Sequence, residues 1–98
     1  MKVTIDYDGN TNGNLHVGSD IIKLIGDANY TNRLLPGMRN YQDVCDGDEY
    51  DAEWSAPGIR ISGDKLAYDV EVYWIHTARK GEGALPEDYD WTEVDRIE

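Results

Sequence analysis

Residues 19–30 read Ser-Asp-Ile-Ile-Lys-Leu-Ile-Gly-Asp-Ala-Asn-Tyr, and the fold class turns on whether they coil or extend. Ser19 is a good N-cap, and Asp20 suits a first helical turn through the helix dipole. Ile21, Ile22, Leu24, Ile25 and Ala28 fall on one face at helical spacing. Gly26 weakens the end of such a helix. The rival reading is a strand, because isoleucine favours sheets. Helical spacing with a cap in front of it makes a helix over Asp20–Tyr30 the preferred reading.

On the N-terminal side, Lys2–Tyr7 alternates Val3, Ile5 and Tyr7 with Lys2, Thr4 and Asp6, the period of a half-buried strand. Asp8–Asn14 is rich in Gly, Asn and Asp and reads as a loop before a short strand at Leu15–Val17. On the C-terminal side, Pro36-Gly37 marks a turn and Met38–Cys45 reads as a strand. Asp46-Gly47 is a further turn signal.

Glu49–Trp54 then alternates cleanly, with Tyr50, Ala52 and Trp54 on one face and Glu49, Asp51 and Glu53 on the other. Pro57-Gly58 is expected to break that strand, with a short strand at Ile59–Ser62 and a hairpin turn at Gly63-Asp64. Leu66–Thr77 reads as the longest strand. Tyr68, Val70, Val72 and Trp74 share one face, and Asp69, Glu71, Tyr73 and Ile75 the other. That second face turns from acidic to apolar along its length, so its far end should be covered. A final edge strand is expected in the tail. Together these elements predict a single α+β domain over residues 1–98. It is a small, mainly antiparallel sheet of about four to six strands with one helix packed on one face.

The charge is large and uneven. The chain carries 20 acidic and 9 basic residues, a net charge of -11 on 98 residues. A small domain needs only about 2–8 charges for solubility. Direct binding to nucleic acid needs a basic patch, and an anionic membrane would repel this chain. A basic protein surface is the partner such a charge favours. No apolar run approaches the ~20 residues of a membrane span, and no signal peptide is read at the N-terminus. Cys45 is the sole cysteine, which fits a reducing, cytoplasmic setting. Asp43 and Asp46 lie close to Cys45, so it reads as a small buried or half-buried thiol and not as a nucleophile. His16 and His76 are the only histidines and no catalytic spacing involves them, so the chain is read as no enzyme.

Two constellations carry functional readings. Asp8, Asn10 and Asn12, with Gly13 after them, place side-chain oxygens at every second position. The stretch resembles an EF-hand or dockerin calcium loop, which would make Asp8, Asn10 and Asn12 metal ligands and calcium the cofactor. The closing bidentate Glu of such loops is absent, and Ser19 stands in its place. A polar turn between strands is the plainer reading, with no cofactor at all.

The second is the acidic run Asp46, Asp48, Glu49, Asp51 and Glu53. Alternate strand residues lie about 6.6 Å apart, so the strand acids would form a line of negative charge. In charge and size the chain is similar to phage-encoded anti-restriction and anti-CRISPR proteins. That resemblance implies a nucleic-acid mimic, an inhibitor occupying the basic groove of a host protein. Asp88 and Asp90 would supply a second patch, with Tyr50 and Trp91 as aromatic anchors, since aromatics dominate interface hot spots. The alternatives are a calcium-binding module on Asp8–Asn12, or a structural or assembly subunit of a phage particle that is acidic only to remain dispersed.

Overall fold

The computed structural model describes residues 4–5, 13–82 and 89–98. Within them lie seven strands: β1 (Thr4–Ile5), β2 (Gly13–Val17), β3 (Asp20–Leu24), β4 (Asn29–Tyr30), β5 (Glu49–Ile61), β6 (Ala67–Arg79) and β7 (Arg96–Ile97). They form one antiparallel sheet in the order β1-β2-β3-β5-β6-β7, with β4 also on β5. The described residues contain no α-helix, only a single 3-10 turn at Tyr41–Asp43. The α+β expectation is therefore overturned, and so is the strand expected over Met38–Cys45.

Residues 19–30 extend because their neighbours reward alternation. Ile22 and Leu24 are fully buried, while Ile21 and Lys23 point outward. A helix would have placed Ile21 and Ile22 on one face; the strand splits them between two. Gly18, at φ +60°, takes a turn conformation that L side chains rarely adopt and folds β2 back onto β3. Gly58 lets β3 approach β5, since a Cβ there would meet Ile22 Cγ2 at 3.0 Å and the Lys23 carbonyl at 3.2 Å. No local signal in residues 19–30 records either glycine.

β5 and β6 are 13 residues each and pair along their whole length, from Glu49↔Arg79 to Ile61↔Ala67. At about 3.4 Å per residue this hairpin accounts for most of the 48 Å long axis. The turn closes at Ser62–Leu66, where Ser62 N donates to Leu66 O at 2.9 Å. Pro57 does not break β5. Its carbonyl accepts Ile25 N at 3.1 Å, so its nitrogen faces that same side, away from β6. The missing N–H falls where β3 has ended and β4 has not begun, so no ladder bond is lost.

One face of the sheet is covered. Leu15, Ile22, Leu24, Ala56, Val72 and Trp74 are buried on it, and Trp91 and Val94 from the C-terminal segment pack across them. Trp74 Nε1 donates to the Trp91 carbonyl at 2.9 Å, so the indole enters the core with its polar atom satisfied. The tail then adds β7 to β6, as the expected edge strand does.

Candidate functional site

β5 presents two unlike faces, and every second residue belongs to each. Glu49, Asp51 and Glu53 do share a face, but that face is not a free ladder of charge. Arginines from elsewhere in the chain meet each acid. Glu49 lies 3.6 Å from Arg39 and 3.4 Å from Arg79. Asp51 is clamped by Arg39 twice, through the backbone N at 2.9 Å and Nη2 at 3.1 Å. Burial works against the Asp51 carboxylate, yet the Arg39 bonds hold its pKa below the ordinary value.

Glu53 goes furthest. It is 1% exposed, under Thr31, Arg33 and Arg96. Thr31 Oγ1 donates to Oε1 at 2.9 Å, Arg33 Nη2 to Oε2 at 2.8 Å, and Arg96 Nη1 to Oε2 at 2.9 Å. Burial alone would raise its pKa. The bonds from Arg33, then Arg96 and Thr31, override burial and hold it at about 2. Glu53 is thus a structural clasp between the β4 edge and the C-terminal tail, not a surface for a partner. Arg96 is further fixed over the Tyr73 ring at 3.9 Å.

The remaining acids of the run lie at the end of the hairpin remote from its turn. Asp43, Asp46 and Asp48 sit in the segment entering β5, which bonds Lys80 two residues before Glu82, and all four acids are exposed. Among the described residues, none of the four has a lysine or arginine within ion-pair distance. The nearby Lys80 is committed to the loop itself: Nζ donates to Tyr41 O at 3.0 Å and Val44 O at 2.9 Å, and lies over the Tyr41 ring. Gly47, at φ +90°, makes the turn. Its N donates to Lys80 O at 2.8 Å, and Lys80 N returns a bond to Asp48 O at 2.9 Å. Cys45 in this loop is exposed, contrary to the buried or half-buried thiol expected.

The opposite face of β5 carries an aromatic slot. Tyr50, Ala52 and Trp54 alternate along it, so a small residue separates two large rings. Tyr30 from β4 and Tyr89 from the C-terminal segment close the sides, leaving an open cavity of about 240 Å3. Trp54 meets Tyr30 at 6.0 Å and Tyr89 at 5.7 Å, both tilted and not stacked. His76 stacks on Tyr89 at 4.1 Å, and burial pulls its pKa down to about 4 despite the opposing charge of Asp90. Among the described residues, Trp54 Nε1 and His76 Nε2 are the buried side-chain polar atoms without a hydrogen-bond partner.

The structure thus divides the expected partner-binding residues. It brings Asp46, Asp48 and Tyr50 to one end of the molecule, and Tyr50 lines the slot. It pairs Glu49 and Asp51 with arginine and encloses Glu53. Trp91, expected as an anchor, is 4% exposed and belongs to the core, because its ring is turned edge-on to Trp74 at 4.8 Å. Asp90 is exposed, but its carboxylate turns back onto Thr92. Asp8, Asn10, Asn12 and Asp88 lie outside the described residues. Tyr30 carries no mark in the sequence, and Tyr89 stands out there only as an aromatic between Asp88 and Asp90; the three-dimensional meeting of β4, β5 and the tail joins the two in one slot. Among the described residues there is no cluster of three or more metal-binding side chains, and no helix long and apolar enough to cross a membrane. Comparison with protein-family models, curated proteins and solved structures returns no match to this chain.

Proposed function

We propose that the protein is a non-enzymatic docking protein. It binds a basic surface on a nucleic-acid-handling partner and competes there with the nucleic acid, in the manner of phage inhibitors of host enzymes. One observation supports this reading: Asp43, Asp46, Asp48 and Glu82 stand exposed on two segments that meet at one end of the hairpin, with no ion-pair partner among the described residues, on a chain of net charge -11. Such an end steers encounter with a positive surface, and Tyr50 beside it supplies contact area. The strand acids contribute to the fold instead of the interface, so the docking surface is shorter than the acidic run in the sequence.

The test is elution. A bacterial lysate is loaded on DNA–cellulose at low salt and washed with the protein or with its D43K/D46K/D48K variant. The native chain should release a discrete basic protein, and the variant should not. Release should fade as salt screens the contact, since the Debye length is only ~10 Å at 0.1 M. Equal release by the charge-reversed variant, or no release by the native chain, would remove the proposal.

A further inference from the structure

We infer that the aromatic slot of Tyr30, Tyr50, Trp54 and Tyr89, floored by Ala52, captures an arginine side chain presented by the partner. The inference rests on the reading of a basic partner surface and adds to it a specific contact. Size comes first. At about 240 Å3 the slot is smaller than the roughly 300–1,000 Å3 of small-molecule sites, so it suits one side chain and not a nucleotide or cofactor.

Chemistry comes second. The four wall residues are aromatic, and the strand carboxylates Asp51 and Glu53 belong to the other face of β5. Ring faces attract a cation through their quadrupole, and a planar, weakly hydrated guanidinium loses less on leaving water than a compact ammonium does. The molecule already uses this contact internally, with Arg96 lying 3.9 Å over Tyr73. Its two intramolecular cation–ring pairs among the described residues, Arg96 on Tyr73 and Lys80 on Tyr41, both lie outside the slot.

Position comes third. Tyr50 contacts Tyr41 edge-on at 5.0 Å, which ties the slot to the acidic loop that would meet the partner first. Trp54 is a wall of the slot with its indole nitrogen buried, so its N–H resonance reports on the slot without itself touching the occupant.

The test uses the full chain labelled with nitrogen-15 and a blocked peptide, acetyl-Gly-Arg-Gly-amide. The Trp54 indole resonance, assigned by its absence in W54F, should shift saturably as peptide is added. The citrulline peptide has nearly the same shape without the charge and should bind about tenfold more weakly, in keeping with one or two cation–π contacts. The lysine peptide should fall between them. Y30A and Y50A should each weaken the arginine peptide several-fold with the rest of the spectrum unmoved. Equal binding of the citrulline peptide to the native chain would overturn the inference without recourse to any variant. So would shifts confined to the 43–48 amides, although those would still support acidic docking. Slot binding that survives in D43K/D46K/D48K, with loss of the DNA–cellulose release, would place the two contacts on separate footings. Slot failure with release intact would sink the slot alone.

Discussion

Glu53 and Trp54 are chain neighbours on β5, and both leave water by opposite routes. Glu53 is a charge taken into the protein and given every bond it needs, from Thr31, Arg33 and Arg96. Trp54 is a ring half-buried among other rings, with its one polar atom left without an acceptor. A satisfied charge is a finished structure. An unsatisfied donor beside an open cavity is an unfinished one, since a buried donor without a partner costs about 1–3 kcal/mol. The face that looks functional in the sequence is therefore tied into the fold, and the face that looks like core holds the open cavity.

The largest expected effect tests which aromatics are structural. Trp91→Ala removes a ring that contacts Trp74, Trp54, His76 and Tyr89. Truncation of a buried Trp costs about 3–5 kcal/mol, so urea unfolding should show a loss of that size. A loss under ~1 kcal/mol would make Trp91 an exposed anchor after all and collapse the contrast.

The clasp comes next. Replacing Arg33 and Arg96 together by Ala strands a carboxylate that is 1% exposed, and about 3 kcal/mol should go. Glu53→Gln should cost less, because Arg33 and Arg96 are partly exposed and can return to water. The pH dependence has a definite sign. The folded pKa of Glu53 is depressed to about 2 from an ordinary 4.5. Its contribution is complete above pH 4.5 and drains away as pH falls toward 2, amounting to roughly 3 kcal/mol. The stability difference between the native chain and Glu53→Gln should therefore shrink across that window. A difference that stays constant from pH 5 to 2 would mean the carboxyl is not held ionised.

The sequence showed β6 and the first half of β5 plainly, because period-two alternation survives in any context that buries one face. Their partner strand was hidden. Residues 19–30 satisfy helical spacing as well as strand alternation, and Gly58, which settles the matter by admitting β3 at close range, lies far along the chain. Pro57 misled for a related reason. Whether a proline breaks a strand depends on which side its nitrogen faces, and that is a property of the neighbours. The acids misled most. Glu49, Asp51 and Glu53 form a visible row, but Arg33, Arg39, Arg79 and Arg96, which answer them, are scattered through the chain. Charge is local in sequence while neutralisation is not. Tyr50 and Tyr89 both stand among acids in the sequence, whereas Tyr30 carries no local mark, and nothing in the sequence joins the three in one cavity.

The smallest expected effect separates charge that holds the fold from charge that is merely displayed. In D43N/D46N/D48N the three carboxylates of the acidic end become amides of nearly the same shape. Asp48 Oδ2 accepts Cys45 N at 3.3 Å, and an amide oxygen can still accept that bond. Since none of the three has an ion-pair partner among the described residues, their removal should change stability by no more than about 0.5 kcal/mol. The sign should be favourable at low salt, because self-repulsion on a chain of net charge -11 is relieved. Added salt should erase the gain as screening does the same work in the native chain. A loss above ~1 kcal/mol, unaffected by salt, would mean that these acids are bound into the fold as Glu53 is, and the docking end would then be a second clasp.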